Sequence, residues 1–416
     1  MNNALRILAQ SAPICVLAAA CGCGGVAQNA GGPKGGSGGS NCGVEGSGGR
    51  GNGQYGAISI DDACTSANPD AHVVREGVVV EATLLADGQL YPASLAVDTA
   101  NVYWHAGGWQ VVGPKTFIDS TNGEVLKCAR DGCGGAPTVL VSNRRTRPSN
   151  IGTDGKSVYW VDDGSSSDAA DNSPIGASTL FRCSVDGCDG NPTSINVTVD
   201  TSFVMSGTQL YWGSLNDGVY ACADTDCAGT QRTLWAISGQ DFIENVIADG
   251  DGIAYIISMA PYGLWSCPFT GCNNQPNRVL TTAPQIQGIP SFALATDADN
   301  IYFMGVDSSG QEMILQCAKS GCGDAPKTYV SGLALYGPHY MASDGISLYW
   351  TEVTSPTTSG GQGMIRKCAV PNCGAGPTVV VSGLNAPGPL VLDEDYVYWV
   401  DVDGEGTYGQ IWRAGK

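Results

Sequence analysis

Short apolar runs separated by turn residues extend over most of the chain after residue 82. An apolar residue followed by Tyr and Trp occurs at residues 102–104, 158–160, 210–212, 348–350 and 397–399, and degenerate copies at 254–256 and 301–303 fill the interval. The tyrosines of these copies are 56, 52, 44, 47, 47 and 49 residues apart. A repeat of this period is typical of a solenoid or a propeller.

Each unit contains four short runs with the composition of strands. In the first unit they are Ser94–Val97, Asn101–Trp104, Glu124–Cys128 and Pro137–Val141. Aromatic and β-branched residues at alternating positions favour strands over a helix. Four such strands joined by turns make one propeller blade.

The last unit stops after its third strand, and a spare strand lies before the first unit. Residues 82–86, followed by Asp87-Gly88, match the fourth-strand pattern at 377–381. Pairing this strand with the last unit would close a ring and cover sheet edges that otherwise invite aggregation. The sequence therefore predicts an all-β fold, a seven-bladed β-propeller of four-stranded blades over residues 73–416, closed by this N-terminal strand.

Two repeated features are expected to be structural. The Tyr-Trp pairs should pack between adjacent blades. An aspartate lies five residues before the tyrosine in five units, at Asp98, Asp154, Asp297, Asp344 and Asp393. Aspartate at the start of a tight turn bonds its own backbone, which we expect here in preference to a ring of ligand-binding carboxylates.

Six units carry a Cys-x4-Cys pair that is predicted to flank the turn between the third and fourth strands. The pairs are Cys128/Cys133, Cys183/Cys188, Cys222/Cys227, Cys267/Cys272, Cys317/Cys322 and Cys368/Cys373. Zinc needs four ligands close together, whereas these pairs lie one per blade without nearby histidines. Disulfides between facing positions of each hairpin are the better prediction, and they indicate an oxidising compartment.

The N-terminus has the order of a signal peptide. Residues 1–20 contain one basic residue, an apolar stretch and three alanines before Cys21. The Ala18–Cys21 segment looks like a lipobox, which would make Cys21 a lipidation site, and ordinary secretion is the alternative. Residues 21–72 are rich in Gly and Ser, so we expect a disordered tether. The expected location is the outer membrane or cell surface, otherwise the periplasm or the exterior.

Composition excludes some functions. The 416 residues carry a formal net charge of −19, which disfavours nucleic acid as a partner, because binding there depends on Lys and Arg. Only three histidines are present, which leaves little room for histidine-rich metal sites. We expect a monomer that contacts a membrane only through its lipid.

The repeats resemble a known family. Residues 349–352 (Tyr-Trp-Thr-Glu) and 398–401 (Tyr-Trp-Val-Asp) are similar to the YWTD repeats of low-density-lipoprotein-receptor propellers, and the likeness covers about residues 82–416. The resemblance implies a β-propeller, and that family mostly binds proteins. Receptor propellers have six blades and lack the paired cysteines, so exported bacterial YWTD-like propellers of unassigned function are more similar.

Insertions concentrate on one face. The distance from tyrosine to first cysteine varies from 11 to 25 residues, whereas that from second cysteine to next tyrosine stays between 23 and 30. Insertions between the second and third strands open on one face, which usually marks the binding face. Candidate ligand-binding residues there are His105, Trp109, Arg144, Arg145, Arg147, Tyr262, Tyr336, His339 and Tyr340.

No cofactor is assigned, and the chemical motifs are weak. Asp162, Asp163, Asp401 and Asp403 lie in glycine-bearing loops that could supply oxygen ligands to calcium, although neither loop matches a twelve-residue calcium loop. No catalytic residue is assigned. We expect binding of an extracellular protein or carbohydrate, with two alternatives: a lyase or glycan hydrolase that uses loop His, Asp or Glu residues, and an envelope scaffold.

Overall fold

A computed structural model provides the architecture. It describes the following residues: 70–75, 78–107, 109–111, 117–119, 122–144, 146–164, 176–199, 202–214, 218–224, 226–236, 243–249, 252–259, 262–281, 294–306, 309–323, 325–333, 340–354, 363–403 and 408–416. The predicted signal peptide, the lipidation site Cys21 and nearly all of the predicted tether lie outside these residues. In the described part of the chain, no helix has the length and apolarity needed to cross a membrane.

The described chain is built of strands, with one short helix. The strands of the first half are β1 Asp70–Arg75, β2 Val78–Leu90, β3 Pro92–Val97, β4 Asn101–Ala106, β5 Trp109–Val111, β6 Phe117–Asp119, β7 Gly123–Ala129, β8 Thr138–Arg144, β9 Thr146–Thr153, β10 Ser157–Gly164, β11 Gly176–Ser184, β12 Thr193–Thr198, β13 Phe203–Ser206, β14 Gln209–Ser214 and β15 Gly218–Ala223. The helix α1 spans Cys227–Thr230 and is capped by the Asp226 side chain, which accepts a hydrogen bond from the Gly229 amide.

The second half continues the pattern. Its strands are β16 Arg232–Ala236, β17 Ile243–Ala248, β18 Ile253–Met259, β19 Tyr262–Pro268, β20 Asn277–Thr281, β21 Leu294–Thr296, β22 Asn300–Val306, β23 Glu312–Ala318, β24 Lys327–Ser331, β25 Met341–Ser343, β26 Ser347–Val353, β27 Gly363–Ala369, β28 Thr378–Leu384, β29 Ala386–Leu392, β30 Tyr396–Val402 and β31 Tyr408–Gly415.

Six sheets are four-stranded antiparallel blades. Blade 1 has the order β3-β4-β7-β8, and blades 2 to 6 take β9–β12, β13–β16, β17–β20, β21–β24 and β25–β28 in turn. A separate small hairpin, β5–β6, lies in the first insertion. The fold is an all-β propeller of four-stranded blades, as predicted.

The predicted number of blades is wrong: the structure has six four-stranded blades, not seven. The C-terminal strands belong instead to a five-stranded sheet with the order β1-β2-β31-β30-β29, called the closing sheet here. Residues 82–86 do pair with β31, with Ala82 opposite Ala414. The chain before them folds back as β1 and pairs along β2, Asp70 opposite Thr83, so the edge of β2 gains a further strand that its repeat pattern did not predict.

The core lies in the seams between successive sheets. Trp104 packs in a cluster shared by blade 1 and the closing sheet, whereas Tyr103 packs in the cluster shared by blades 1 and 2. Neighbouring residues of a strand point to opposite faces, so each Tyr-Trp pair serves two seams. The five Trp residues of the motif are all fully or almost fully buried. The prediction that these pairs pack between blades is confirmed.

All six predicted disulfides form. Each joins cysteines five residues apart, with Cα–Cα distances of 4.8–5.5 Å. Each also packs in a seam: Cys183 and Cys188, for example, lie in the cluster with Val141 of blade 1. The disulfides therefore act as apolar packing units between blades as well as cross-links within hairpins.

The placement of the second cysteine in each pair differs from the prediction. The first cysteine lies on the third strand of its blade and is buried. In blade 3 the second, Cys227, begins α1 and is buried. In the other five blades the second cysteine is only partly buried and lies in the turn, before the fourth strand begins; these residues are Cys133, Cys188, Cys272, Cys322 and Cys373.

The end of strand pairing explains this correction. In blade 1 the ladder between the third and fourth strands ends at Lys127 opposite Thr138, one residue before Cys128. No residue of the fourth strand therefore lies opposite Cys128, and Cys133 reaches it by the folding back of the turn, at a Cα–Cα distance of 5.4 Å. The bond ties the turn to the third strand. The predicted bond between facing positions of two strands does not occur.

Replacing Cys183 and Cys188 together with alanine is expected to lower the free energy of unfolding by about 2 kcal/mol, because a short closed loop contributes little chain entropy. Urea unfolding without reductant measures the change. With reductant present, the difference between wild type and variant should shrink. Equal stability of the two proteins without reductant would contradict the role of this disulfide.

Candidate ligand-binding face

The faces of the ring are defined by their loops. The loop face carries the connections between second and third strands and the links from one blade to the next. The hairpin face carries the disulfide turns. Of the predicted ligand-binding residues, Arg145, Tyr336 and His339 lie outside the described residues. Trp109, Arg147 and Tyr262 lie on β5, β9 and β19, where only the backbone is described.

His105 does not reach the surface of the loop face. It is fully buried on β4, and its Nε2 lies 3.2 Å from the Ser94 Oγ of β3. His105 lies on the same side of β4 as Tyr103, toward blade 2, because side chains alternate along a strand. The prediction of an exposed ligand-binding histidine is wrong here, since the strand continues two residues past the Tyr-Trp motif and keeps this side chain in the seam.

Arg144 is a predicted ligand-binding residue whose side chain lies at the link between blades 1 and 2. It ends the outermost strand of blade 1, and both its Nε (2.7 Å) and its Nη2 contact Asp162 Oδ2 of blade 2. Its guanidinium also lies 4.4 Å above the Phe181 ring. The other carboxylate oxygen of Asp162 accepts a hydrogen bond from Trp160 Nε1 at 2.9 Å. The guanidinium is therefore held in one orientation, and the Arg144 side chain is 23% exposed at a blade-to-blade link.

A second array of the same type occurs in blade 6, and sequence reasoning did not assign it to a site. Glu352 accepts a hydrogen bond from Trp350 Nε1 at 2.6 Å and forms an ion pair with Arg366 Nη1 at 3.1 Å. In both arrays the acid follows the tryptophan by two residues, which places both side chains on one face of the strand. The signal that could have found it is Trp-x-Asp/Glu, read together with arginine on a neighbouring strand.

Asp401 shows the same spacing after Trp399 but has a different environment. Its two carboxylate oxygens accept hydrogen bonds from the amides of Asn385 and Ala386, at 3.1 and 2.9 Å. Burial raises the pKa of Asp401 to about 6, although the two amides act in the opposite direction. The carboxyl thus fixes the link between blade 6 and the closing sheet.

Tyr340 precedes β25 and packs against the apolar cluster shared by blade 6 and the closing sheet. Burial raises the pKa of its hydroxyl to about 12, and its carbonyl accepts the Thr351 amide at 3.2 Å. Its environment is that of a packing residue that borders the loop face.

The weak calcium candidates are not brought together into a ligand set. Asp162 binds Arg144 and Trp160, Asp401 binds two amides, and Asp403 accepts the Tyr408 amide at 3.2 Å. For Asp163 only the backbone is described. Within the described residues, no group of three or more His, Cys, Asp or Glu side chains could hold a metal ion.

The hairpin face carries a repeated structural unit, the Asp-Tyr clasp. In blade 1, Asp98 Oδ1 accepts the amides of Ala100 and Asn101 at 2.8 Å, and its Oδ2 accepts the Tyr103 hydroxyl at 2.7 Å. Equivalent clasps join Asp154 to Tyr159, Asp297 to Tyr302 and Asp393 to Tyr398. The prediction that these aspartates bond their own turns is confirmed, and the tyrosine hydroxyl is an additional partner.

The dependence of stability on pH should show opposite effects of the clasp aspartates and of Asp401. Burial acts to raise the pKa of Asp297 and Asp393, but the tyrosine hydroxyl and backbone amides outweigh it and lower both. A lowered folded-state pKa gives stability that is present above the unfolded pKa, about 3.9, and is lost as the pH falls further. The raised pKa of Asp401 has the opposite sign, so stability should rise as the pH falls from about 6 to about 4.

The check is the urea unfolding midpoint measured from pH 7 to about pH 2.5, without reductant. Asp401→Asn should remove the rise in the urea midpoint between about pH 6 and pH 4, and the fall in the midpoint at lower pH should remain. Asp297→Asn should reduce the fall in the urea midpoint below about pH 4, and the rise in the midpoint between about pH 6 and pH 4 should remain. A midpoint that falls steadily from neutral pH in the wild type would contradict the assignment of Asp401.

Comparison with known proteins supports the fold. No protein-family model and no curated protein matches the sequence. Among solved structures, a catalytically inactive variant of virginiamycin B lyase from Staphylococcus aureus, with quinupristin, is 11% identical with a TM-score of 0.51, over 80% of this chain and 96% of that one.

Two other propeller structures are also similar. The WD40 domain of Toxoplasma gondii coronin is 10% identical (TM-score 0.49, over 80% and 85% of the two chains). BamB from Moraxella catarrhalis is 12% identical (TM-score 0.41, over 77% and 84%). At such identities the likeness concerns the fold alone.

Proposed function

We propose that this chain is a YWTD-like propeller whose loop face binds an extracellular protein or carbohydrate without chemistry. The observation that carries the proposal is the arginine held at the link between blades 1 and 2. Arg144 is fixed by Asp162 and Phe181 while its side chain remains partly exposed. A side chain that is already ordered loses little entropy when it binds a ligand.

The difference between the two faces supports this assignment. Turns of the hairpin face are occupied by clasps, disulfides and links such as Lys127 Nζ to the Val185 carbonyl at 2.6 Å. The loop face carries the insertions of variable length, and variable loops on a rigid frame are the usual place for binding. An envelope scaffold would use the same face, with a protein as the ligand.

The enzymatic alternative has less support. It relied on loop histidines and acids, and His105 is fully buried beside Ser94. Asp162, Glu352 and Asp401 are buried too, and each is engaged by the donors described above. These groups hold the loop face together, which suits binding better than proton transfer.

Export and lipid anchoring are part of the proposal. Six disulfides suit an oxidising compartment, and the Ala18–Cys21 segment suits lipidation. Intact mass measured without reductant after expression with its own leader should show six disulfides and a diacylglyceryl group on Cys21. Cys21→Ser should lose the lipid and keep the disulfides. Free thiols at the six pairs in the native host would contradict export.

A ligand screen tests the binding role. The thermal midpoint of the full chain is measured with panels of peptides, of oligosaccharides and of host envelope fractions. A carboxylate-bearing ligand that raises the midpoint should bind Arg144→Ala about tenfold more weakly, which corresponds to about 1.4 kcal/mol. The matched control is Arg278→Ala, an exposed arginine on the outer strand of blade 4, which should bind normally. Conversion of a ligand to product, or no shift with any panel, would overturn the proposal.

A further inference from the structure

The closing sheet presents an exposed aromatic ring beside a fixed polar group at the loop face. Tyr408 begins β31 at this face and is 54% exposed, and it is the one aromatic among the large apolar side chains that are exposed in the described part of the chain. Tyr408, Gln410 and Trp412 alternate along β31, so their side chains share one side of the sheet. An exposed aromatic ring at the loop face offers an apolar surface on which a ligand can stack.

The polar group beside Tyr408 is held in place by tryptophans. Gln410 Oε1 accepts a hydrogen bond from Trp412 Nε1 at 3.1 Å, and this fixes its amide so that Nε2 donates to Asp87 Oδ1 at 2.9 Å. Asp87 Oδ1 also accepts the Gly88 amide at 2.7 Å. Trp412 in turn is stacked on Trp399 of the next strand, with ring centroids 6.4 Å apart.

The backbone around this group departs from regular strand geometry. The β2–β31 register shifts between Leu84 and Ala86 and again between Ala86 and Gln89, which is the signature of β-bulges. Tyr91, directly after β2, has φ of 45°, a conformation that bulky side chains rarely adopt. Bulges and unusual backbone at a sheet edge commonly aim side chains for binding.

We propose that Tyr408, Asp87 and Gln410, together called the Tyr408 patch, bind a neutral saccharide. A sugar ring offers an apolar C–H face to an aromatic ring and adjacent hydroxyls to a carboxylate and an amide. Asp87 is exposed and has a second oxygen, Oδ2, that can accept from a hydroxyl, and the Gln410 amide has a second N–H that can donate to one. The net charge of −19 opposes an anionic ligand, which favours a neutral sugar.

This inference rests on the proposed binding function of the loop face and adds a second position there, with its own ligand class. It is distinct from the Arg144 array, which lies between blades 1 and 2, because the Tyr408 patch is built on the closing sheet. Arg144 suits a carboxylate-bearing ligand, whereas the three residues of the patch include no cation. The two positions can therefore be tested by separate variants.

The test titrates the full chain with neutral oligosaccharides and follows binding by calorimetry and by the fluorescence of the buried tryptophans. The probes are maltohexaose, cellohexaose, xylohexaose and hexameric N-acetylglucosamine. At least one should bind, with an affinity that Tyr408→Ala and Asp87→Ala each reduce about tenfold. Tyr408→Phe should bind normally, because stacking needs the ring and not the hydroxyl.

The control is Ile346→Ala, which changes a side chain that is 75% exposed on the hairpin face. It should leave saccharide binding unchanged, and thermal unfolding of every variant confirms that it folds. The proposal that the Tyr408 patch binds a saccharide is wrong if none of the four probes binds. It is also wrong if the probe that binds wild type binds Tyr408→Ala equally tightly. A peptide or envelope ligand found in the wider screen would then still support the binding function, so the two failures are distinguishable.

Discussion

Replacing Trp350 with alanine is expected to lower the free energy of unfolding by about 3–5 kcal/mol, the usual cost of removing a buried tryptophan. The ring is fully buried in the seam between blades 5 and 6, where it packs with Val330 and Met341. Its Nε1 donates to Glu352 at 2.6 Å, so the substitution also removes a donor from a buried carboxylate. Urea unfolding at neutral pH measures the loss.

The companion control is Val379→Ala on the exposed side of β28, which should change stability by less than about 0.5 kcal/mol. A loss below about 1 kcal/mol for the tryptophan variant would mean that the seam is not tightly packed around this ring. The loss in the free energy of unfolding for Trp350→Phe should lie between those of Val379→Ala and Trp350→Ala, because phenylalanine keeps part of the apolar contact and lacks the indole N–H.

Replacing Asp393 with alanine is expected to cost about 3 kcal/mol, because it leaves several donors and a cation without their buried acceptor. The carboxylate accepts the amides of Asp395 and Tyr396 at 2.8 Å and the Tyr398 hydroxyl at 2.5 Å. It also pairs with Arg130 Nε of blade 1 at 2.6 Å. This clasp therefore joins the closing sheet to blade 1, in addition to shaping its own turn.

A matched control lies two residues away. Asp395 is 72% exposed, and its carboxylate is as far as 3.8 Å from Arg130 Nη2. Asp395→Ala should therefore lower the free energy of unfolding by less than about 0.5 kcal/mol. Arg130→Ala combined with Asp393→Ala should cost less than the sum of the single variants, because both report one interaction. Equal costs for Asp393→Ala and Asp395→Ala would contradict the clasp.

Periodic features were predictable from sequence because each repeat reports the same packing constraint. The Tyr-Trp motif predicted the second strand and its two buried faces, and the Cys-x4-Cys spacing predicted all six disulfides. Asp98 and its equivalents were correctly expected to bond their turns. All of these depend on contacts between residues close in the chain, or on a register that repeats.

The spacing of the cysteines did not predict where the second of each pair lies. Five second cysteines were expected to face the third strand from across the hairpin, and they lie within the turn: Cys133, Cys188, Cys272, Cys322 and Cys373. A separation of five residues suits either arrangement, because both bring the Cα atoms within disulfide distance. The register between the third and fourth strands decides between them.

Non-periodic features were not predictable. Arg144 and Asp162 are 18 residues apart and belong to different blades, and Gln410 and Asp87 are 323 residues apart. Packing of neighbouring blades brings the first pair together, and the pairing of β2 with β31 brings the second pair together. His105 was misplaced because its sequence position beside an insertion resembles that of a loop residue, whereas the length of β4 is decided by pairing with β7, where His105 lies opposite Val125.

The sequence by itself determined the strand-turn repeat, the four-stranded blade, the disulfide pairs and the use of residues 82–86 against β31, since local pattern and spacing carry that information. The tertiary structure alone decided how the ring is completed: β1 adds a fifth strand to the closing sheet, so six sheets and not seven are four-stranded. It also decided which polar side chains meet at the loop face. The reason is physical, because an unpaired strand edge and a buried carboxylate are satisfied by whichever partner the folded chain brings within hydrogen-bonding distance, and no repeat encodes that partner.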